Sequence, residues 1–221
     1  MYLWLSLALI FAALEAIALS KNLGQLEYIA KPAVMVSLFL WLYTITGLRG
    51  STFWFGLGIL LSLAGDILLM ISLDRLFLPG MVAFLLAHIS YVLGFRAELV
   101  IASVWSLILL LFIAVNVSRL LRRIVVAMRA KGENKLILPV IVYGTGISVM
   151  LYAAMSTTSN LAWTPLAAFL VSAGALLFMV SDVILAWMKF VAPVKNGKVW
   201  NMALYHLGQL GLIAGVISRF G

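Results

Sequence analysis

The 221-residue chain is 65% hydrophobic and only 10% charged, with a mean hydropathy of +1.18, well outside the range of soluble globular domains. Its net charge of +8 needs no nucleic acid to explain it, because most of that charge sits between apolar runs. There is no cysteine, which excludes disulfides, thiolate zinc sites and cysteine nucleophiles.

Hydrophobic runs long enough to cross a bilayer, broken by charged or Gly/Pro-containing loops, predict an all-α polytopic membrane protein of eight transmembrane helices in one domain, residues 1–221. In chain order the spans are Tyr2–Ser20, Tyr28–Thr46, Thr52–Ser72, Leu76–Phe95, Val100–Val117, Leu136–Met155, Trp163–Met188 and Val199–Ser218. The first run lacks a basic leader and a small-x-small cleavage site, so it is expected to be a mature helix. The fifth ends in Arg119, Arg122 and Arg123, where helix can continue past the bilayer.

Eight spans place both termini on one side. All basic residues except Arg49, Arg96 and Arg219 then share the opposite face, so the positive-inside rule puts the termini outside and the basic loops in the cytoplasm. Trp41, Tyr43, Trp54, Trp163 and Trp200 read as interfacial belt residues. Gly144, Gly146 and the glycines from Gly208 to Gly215 read as helix-packing surfaces.

Asp66 and Asp182 are the anomaly. Only seven residues are acidic, and these two lie inside bilayer-length apolar runs, where an ionised carboxylate is costly and usually lines a site or a pathway. Counting at about 1.5 Å per residue from the cytoplasmic helix ends puts Glu15, Asp66, Tyr143, Asp182 and His206 roughly 7–12 Å deep. Lys31 lies shallower and His88 deeper; Tyr91 and Gln209 follow the two histidines by one turn. The pattern predicts one cavity opening toward the cytoplasm. Structural readings stand beside it: each aspartate as a paired acid at a tight helix contact, Lys31 as a snorkelling lysine, and Glu15 as its ion-pair partner.

An internal echo accompanies the depth pattern. Gly65-Asp66 is followed by His88 on the next helix, and Ser181-Asp182 by His206. Pro32 and Pro139 open the second helix of each half. Two parallel four-helix halves follow, each offering an aspartate and a histidine.

The ordered set Lys31-Pro32, Gly65-Asp66, Gly80-x-x-x-Phe84-x-x-x-His88-x-x-Tyr91, Pro139-Val140-x-x-Tyr143, Gly174-x-x-x-Phe178-x-x-Ser181-Asp182 and Tyr205-x-x-x-Gln209 resembles the YhhN family, which includes animal lysoplasmalogenases. The likeness runs from the second helix to the last. It departs at His206, where a second aromatic is expected after Tyr205, and this shifts weight from His206 to His88. The resemblance implies an ether hydrolase that cleaves the vinyl ether of a lysoplasmalogen to a fatty aldehyde and a glycerophospho-alcohol, with no metal or other cofactor.

Vinyl ethers cleave by acid: a proton goes to the β-carbon, and water adds to the resulting oxocarbenium ion. Burial favours the protonated form of a carboxylic acid, as does a second acid close by. Asp66 is therefore expected as general acid, Asp182 as cation stabiliser and water base, and His88 as proton relay, although the order of the two aspartates is open. Lys31, Tyr91, Tyr143, Ser181, Tyr205 and Gln209 are the expected substrate-binding set, with Glu15 and His206 as secondary candidates. Lys31 and the basic mouth would hold the phosphate of a lysophospholipid entering from the inner leaflet. Two alternatives use the same residues: a proton-coupled transporter, and a zinc hydrolase built on Asp66, His88, Asp182 and His206.

Overall fold

The computed structural model of the chain describes residues 2–95 and 104–221. Eight α-helices are present among them and no strand: α1 (Leu3–Lys21), α2 (Gly24–Thr46), α3 (Ser51–Ile71), α4 (Phe77–Phe95), α5 (Val104–Ala130), α6 (Ile137–Ser156), α7 (Pro165–Phe190) and α8 (Gly197–Phe220). Arg96 and the first residues of the expected fifth span lie outside the described residues. α5 does continue through its arginines, reaching Ala130.

Helix ends follow local chemistry. α7 starts at Thr164, whose hydroxyl accepts from the Ala167 N–H, with Pro165 in the first turn, where its missing N–H costs nothing. α1 and α2 stop at Asn22 and Gly47, both in the left-handed region with φ near +60°. Short connections make neighbours in sequence antiparallel neighbours in space, and the tightest pairs are α7 with α8, α3 with α4 and α1 with α2.

Helices α1 to α7 are each long and apolar enough to cross a membrane. This is a multi-pass membrane protein. α8 is 24 residues long but less apolar, because its inward stripe carries Asn201, Tyr205, His206 and Gln209.

α7 and α8 approach backbone to backbone. A Cβ at Gly174 would stand 2.5 Å from the Leu212 nitrogen, and one at Gly208 2.8 Å from the Phe178 nitrogen. Gly58 and Gly65 on α3 leave space instead for the rings of Tyr91 and Phe84. These contacts fix which side chains of α3, α4, α7 and α8 meet. Trp41 and Trp163 pack in the main core and not in an interfacial belt; Tyr43 and Trp200 are exposed.

The helix ends rich in lysine and arginine are tied together. The Tyr28 hydroxyl donates to the Met70 carbonyl, Lys189 pairs with Asp74 at 3.0 Å, and the Lys131 ammonium donates to the Val191 carbonyl. A second, smaller core of Phe77, Met81, Ile124, Met128, Val140 and Phe190 sits at this basic end.

Candidate active site

The two intramembrane aspartates hold separate networks. Asp66 on α3 faces α2 and α8: its Oδ1 lies 3.1 Å from Lys31 Nζ, and its Oδ2 accepts from the Tyr205 hydroxyl at 2.6 Å. Both oxygens are engaged, and the group is buried. The pairing satisfies a carboxylate that would otherwise be prohibitively costly in an apolar bundle. Pro32, next to Lys31, cannot donate to the carbonyl one turn back, so the helix ladder is broken just where the lysine turns inward.

Asp182 on α7 faces α4 and α6. Tyr143 donates to its Oδ2 at 2.5 Å, and His88 Nε2 lies 3.1 Å from the Tyr143 oxygen and 3.7 Å from the same carboxylate oxygen. Tyr143 has one proton and gives it to Asp182, so its oxygen accepts from His88, which therefore carries its proton on Nε2. The result is a directed chain from imidazole through phenol to carboxylate. Asp182 Oδ1 has no hydrogen-bond partner among the described residues.

An aromatic wall joins the two networks. Phe178 packs edge-on to His88 at 4.9 Å and to Tyr205 at 5.1 Å, and Phe84 contacts both Phe178 and Tyr205. The sequence pattern contains both phenylalanines without revealing that they bridge the aspartates.

Two cavities meet along this wall. A polar one opens at the basic end and is lined by Lys31, Asp66, Asp182, Tyr205, Lys189 and Lys198 among others. An apolar one lies between α4, α5, α6 and α7, where Phe77, Phe84, Leu121, Ile147 and Phe190 surround Tyr143 and Asp182. Phe84, Leu69, Leu185 and Asp182 border both. Among the described residues, Asp182 is thus the one carboxylate shared by a polar mouth and an apolar pocket.

Of the remaining candidates, Ser181 also lines the polar cavity, beside Asn201. Glu15 on α1 reaches His206 on α8 and not Lys31, because Lys31 is already taken by Asp66 and α1 packs directly on α8. Tyr91 donates to Gln209 at 2.7 Å and Gln209 to Ser62 at 3.1 Å, a fully buried chain away from both cavities. Ser181 and Asn201 exchange hydrogen bonds that clamp α7 to α8. Asn201 escaped the sequence reading, though an amide within an apolar helical stripe was its signal. Among the described residues no three His, Asp or Glu side chains converge as metal ligands would.

The YhhN family profile matches residues 26–216. The human protein named lysoplasmalogenase TMEM86B is 29% identical over 181 residues, which are 81% of this chain and 69% of that protein. The rat protein of the same name is 27% identical over 198 residues, 86% of this chain and 72% of its own length. The mouse protein is 30% identical over a shorter stretch of 89 residues, 40% of this chain and 35% of that protein. No solved structure matches.

Proposed function

This chain belongs to the YhhN family, and on that premise we propose that it is a lysoplasmalogen hydrolase acting within the membrane. Relatives named lysoplasmalogenase support the activity class. One observation carries the chemistry: Asp182 stands at the border of an apolar pocket and a polar cavity that Asp66 also lines. A lysoplasmalogen is divided at the same point, with an alkenyl chain on one side of the vinyl ether and a glycerophospho headgroup on the other.

The alkenyl chain lies in the apolar pocket, and the headgroup lies in the polar cavity. Both oxygens of Asp66 are engaged by donors, whereas Asp182, which lines both cavities, has only one oxygen held, by Tyr143. This favours Asp182 as the general acid and Asp66 as the water base, the reverse of the order expected from sequence. Asp182 gives its proton to the β-carbon, and its carboxylate then faces the oxocarbenium ion. Water adds to that ion and releases a proton to Asp66. In the collapse of the hemiacetal, Asp66 returns the proton to the departing glycerol oxygen, and Asp182 takes the hemiacetal hydroxyl proton as the aldehyde forms. Both groups end as they began. The His88–Tyr143 chain holds the Asp182 carboxyl in place.

α8 is the eighth span in this reading, since 24 residues at about 1.5 Å each reach across a bilayer core. The contacts of α4 with α6 and of α2 with α8 are equivalent if the bundle is two parallel four-helix halves. The basic end faces the cytoplasm, and substrate enters from the inner leaflet.

The test is to supply purified protein with a lysoplasmalogen and measure free aldehyde. Wild type releases it, while Asp182→Asn and Asp66→Asn, folded by thermal melt, lose about 10²- to 10⁴-fold. A transporter releases none, and near-wild-type turnover in either variant overturns the assignment.

A further inference from the structure

Lys189 lies two turns beyond Asp182 on α7, at a spacing of seven that puts both on one face, about 10 Å apart along the axis. Its side chain is only 13% exposed, yet the carboxylate it meets, Asp74 in the loop between α3 and α4, is 92% exposed. The ammonium stands over the Phe77 ring at 4.8 Å and 5.9 Å from the Phe190 ring, and those rings pack edge to face. Phe77 and Phe190 line the apolar pocket, while Lys189 and Lys198 line the polar cavity. A largely buried cation is thus held by aromatic faces at the seam between the two, with a solvated counter-ion that contributes little.

We propose that Lys189, with Lys198 on the same cavity, forms an anion site that seats the phosphate of a lysophospholipid and that Asp74 is the group it displaces. The inference rests on the lysophospholipid reading above. Lys31, the lysine singled out by sequence, is committed to Asp66, so the phosphate needs another cation. Helix side chains lean toward the N-terminus, which brings the Lys189 ammonium back toward Asp182. The vinyl ether and the phosphate of the substrate are separated by the glycerol carbons, so one end reaches Asp182 while the other reaches Lys189. The phosphodiester carries two charged oxygens that Lys189 and Lys198 can share, whereas Asp74 meets Lys189 through one.

The experiment measures binding of two saturated ethers to purified protein: a 1-O-alkylglycerophosphocholine and the matching 1-O-alkylglycerol. Lys189→Gln is expected to weaken the phospholipid about tenfold, the size of one charge-assisted hydrogen bond, and to leave the alkylglycerol within twofold. That second ligand also reports that the variant is folded. Lys189→Arg keeps the phospholipid within a few-fold, and Asp74→Asn tightens it. Equal losses on both ligands, or no loss on either, overturn the site. Chain-free glycerophosphocholine is expected not to compete; equal competition assigns the lysine to a soluble phosphate ester and overturns the lipid assignment. Neither ligand has a vinyl ether, so the outcome is separate from aldehyde release. A wild type that cleaves nothing overturns the hydrolase reading and leaves this site standing.

Discussion

Lys31 Nζ lies 3.1 Å from Asp66 Oδ1, and both side chains are buried in a bundle built for lipid. The attraction offsets a desolvation cost of several kcal/mol per ion, so the pair contributes modestly as a pair and heavily when broken. Lys31→Met is expected to lose about 3–5 kcal/mol, read as a fall in melting temperature in detergent. Lys31→Met with Asp66→Asn is expected to recover much of that loss, because no uncompensated charge remains. A double variant no more stable than the single one removes the ion pair as the reason for the burial.

Tyr143 presents the opposite case. Its hydroxyl donates to Asp182 and accepts from His88, so removing it costs orientation and not charge balance. Tyr143→Phe is expected to lower aldehyde release by roughly 10- to 100-fold, the 1.5–3 kcal/mol of a hydrogen bond to a charged group. The loss should fall on kcat with KM nearly unchanged, since a phenylalanine keeps the pocket wall. An equal change in KM points to substrate contact by the hydroxyl itself.

Both aspartates were legible in the sequence because a carboxylate in a bilayer-length apolar run has few bland explanations. Their partners were legible by type, since Lys31, Tyr143, Tyr205 and His88 all interrupt apolar stripes. The pairing was not. Sequence spacing sets His88 beside Asp66, whereas the bundle sets His88 beside Asp182 and Tyr205 beside Asp66. Periodicity says which face of a helix is buried, and only the glycine-mediated approach of α7 to α8 decides what that face meets. Lys189 was hidden for another reason: a lysine at a helix end reads as topology signalling until its surroundings are known. Trp41 and Trp163 misled in the same way, being placed near helix ends yet buried in the core.

The α7–α8 contact is a rigid one. A Cβ at Gly174 would meet backbone atoms of α8, the Leu212 nitrogen and the Gly208 oxygen, neither of which can rotate away. Gly174→Ala is therefore expected to cost about 1–3 kcal/mol and to disturb Asp182, two turns along the same helix. Gly144→Ala is the control. Its new methyl would meet only the end of the Leu121 side chain at 3.0 Å, which can shift, so stability should stay within about 0.5 kcal/mol. Comparable melting temperatures for the two variants contradict a backbone contact.

Tyr91, Gln209 and Ser62 form a hydrogen-bonded line across α4, α8 and α3 that is sealed from both cavities. The sequence placed Tyr91 and Gln209 among the substrate-binding candidates, and their burial favours a structural duty instead. Gln209→Leu removes the acceptor of the Tyr91 hydroxyl and the donor to Ser62, at an expected cost of about 1–3 kcal/mol. Tyr91→Phe combined with Gln209→Leu removes both ends of the Tyr91–Gln209 bond and is expected to be closer to wild type, because the Tyr91 hydroxyl is no longer left without its acceptor. Neither variant should change KM for lysoplasmalogen by more than twofold when assayed well below its melting temperature. A KM that rises with stability intact returns these residues to the substrate, and requires the apolar pocket to extend past Phe178 toward the middle of the bundle.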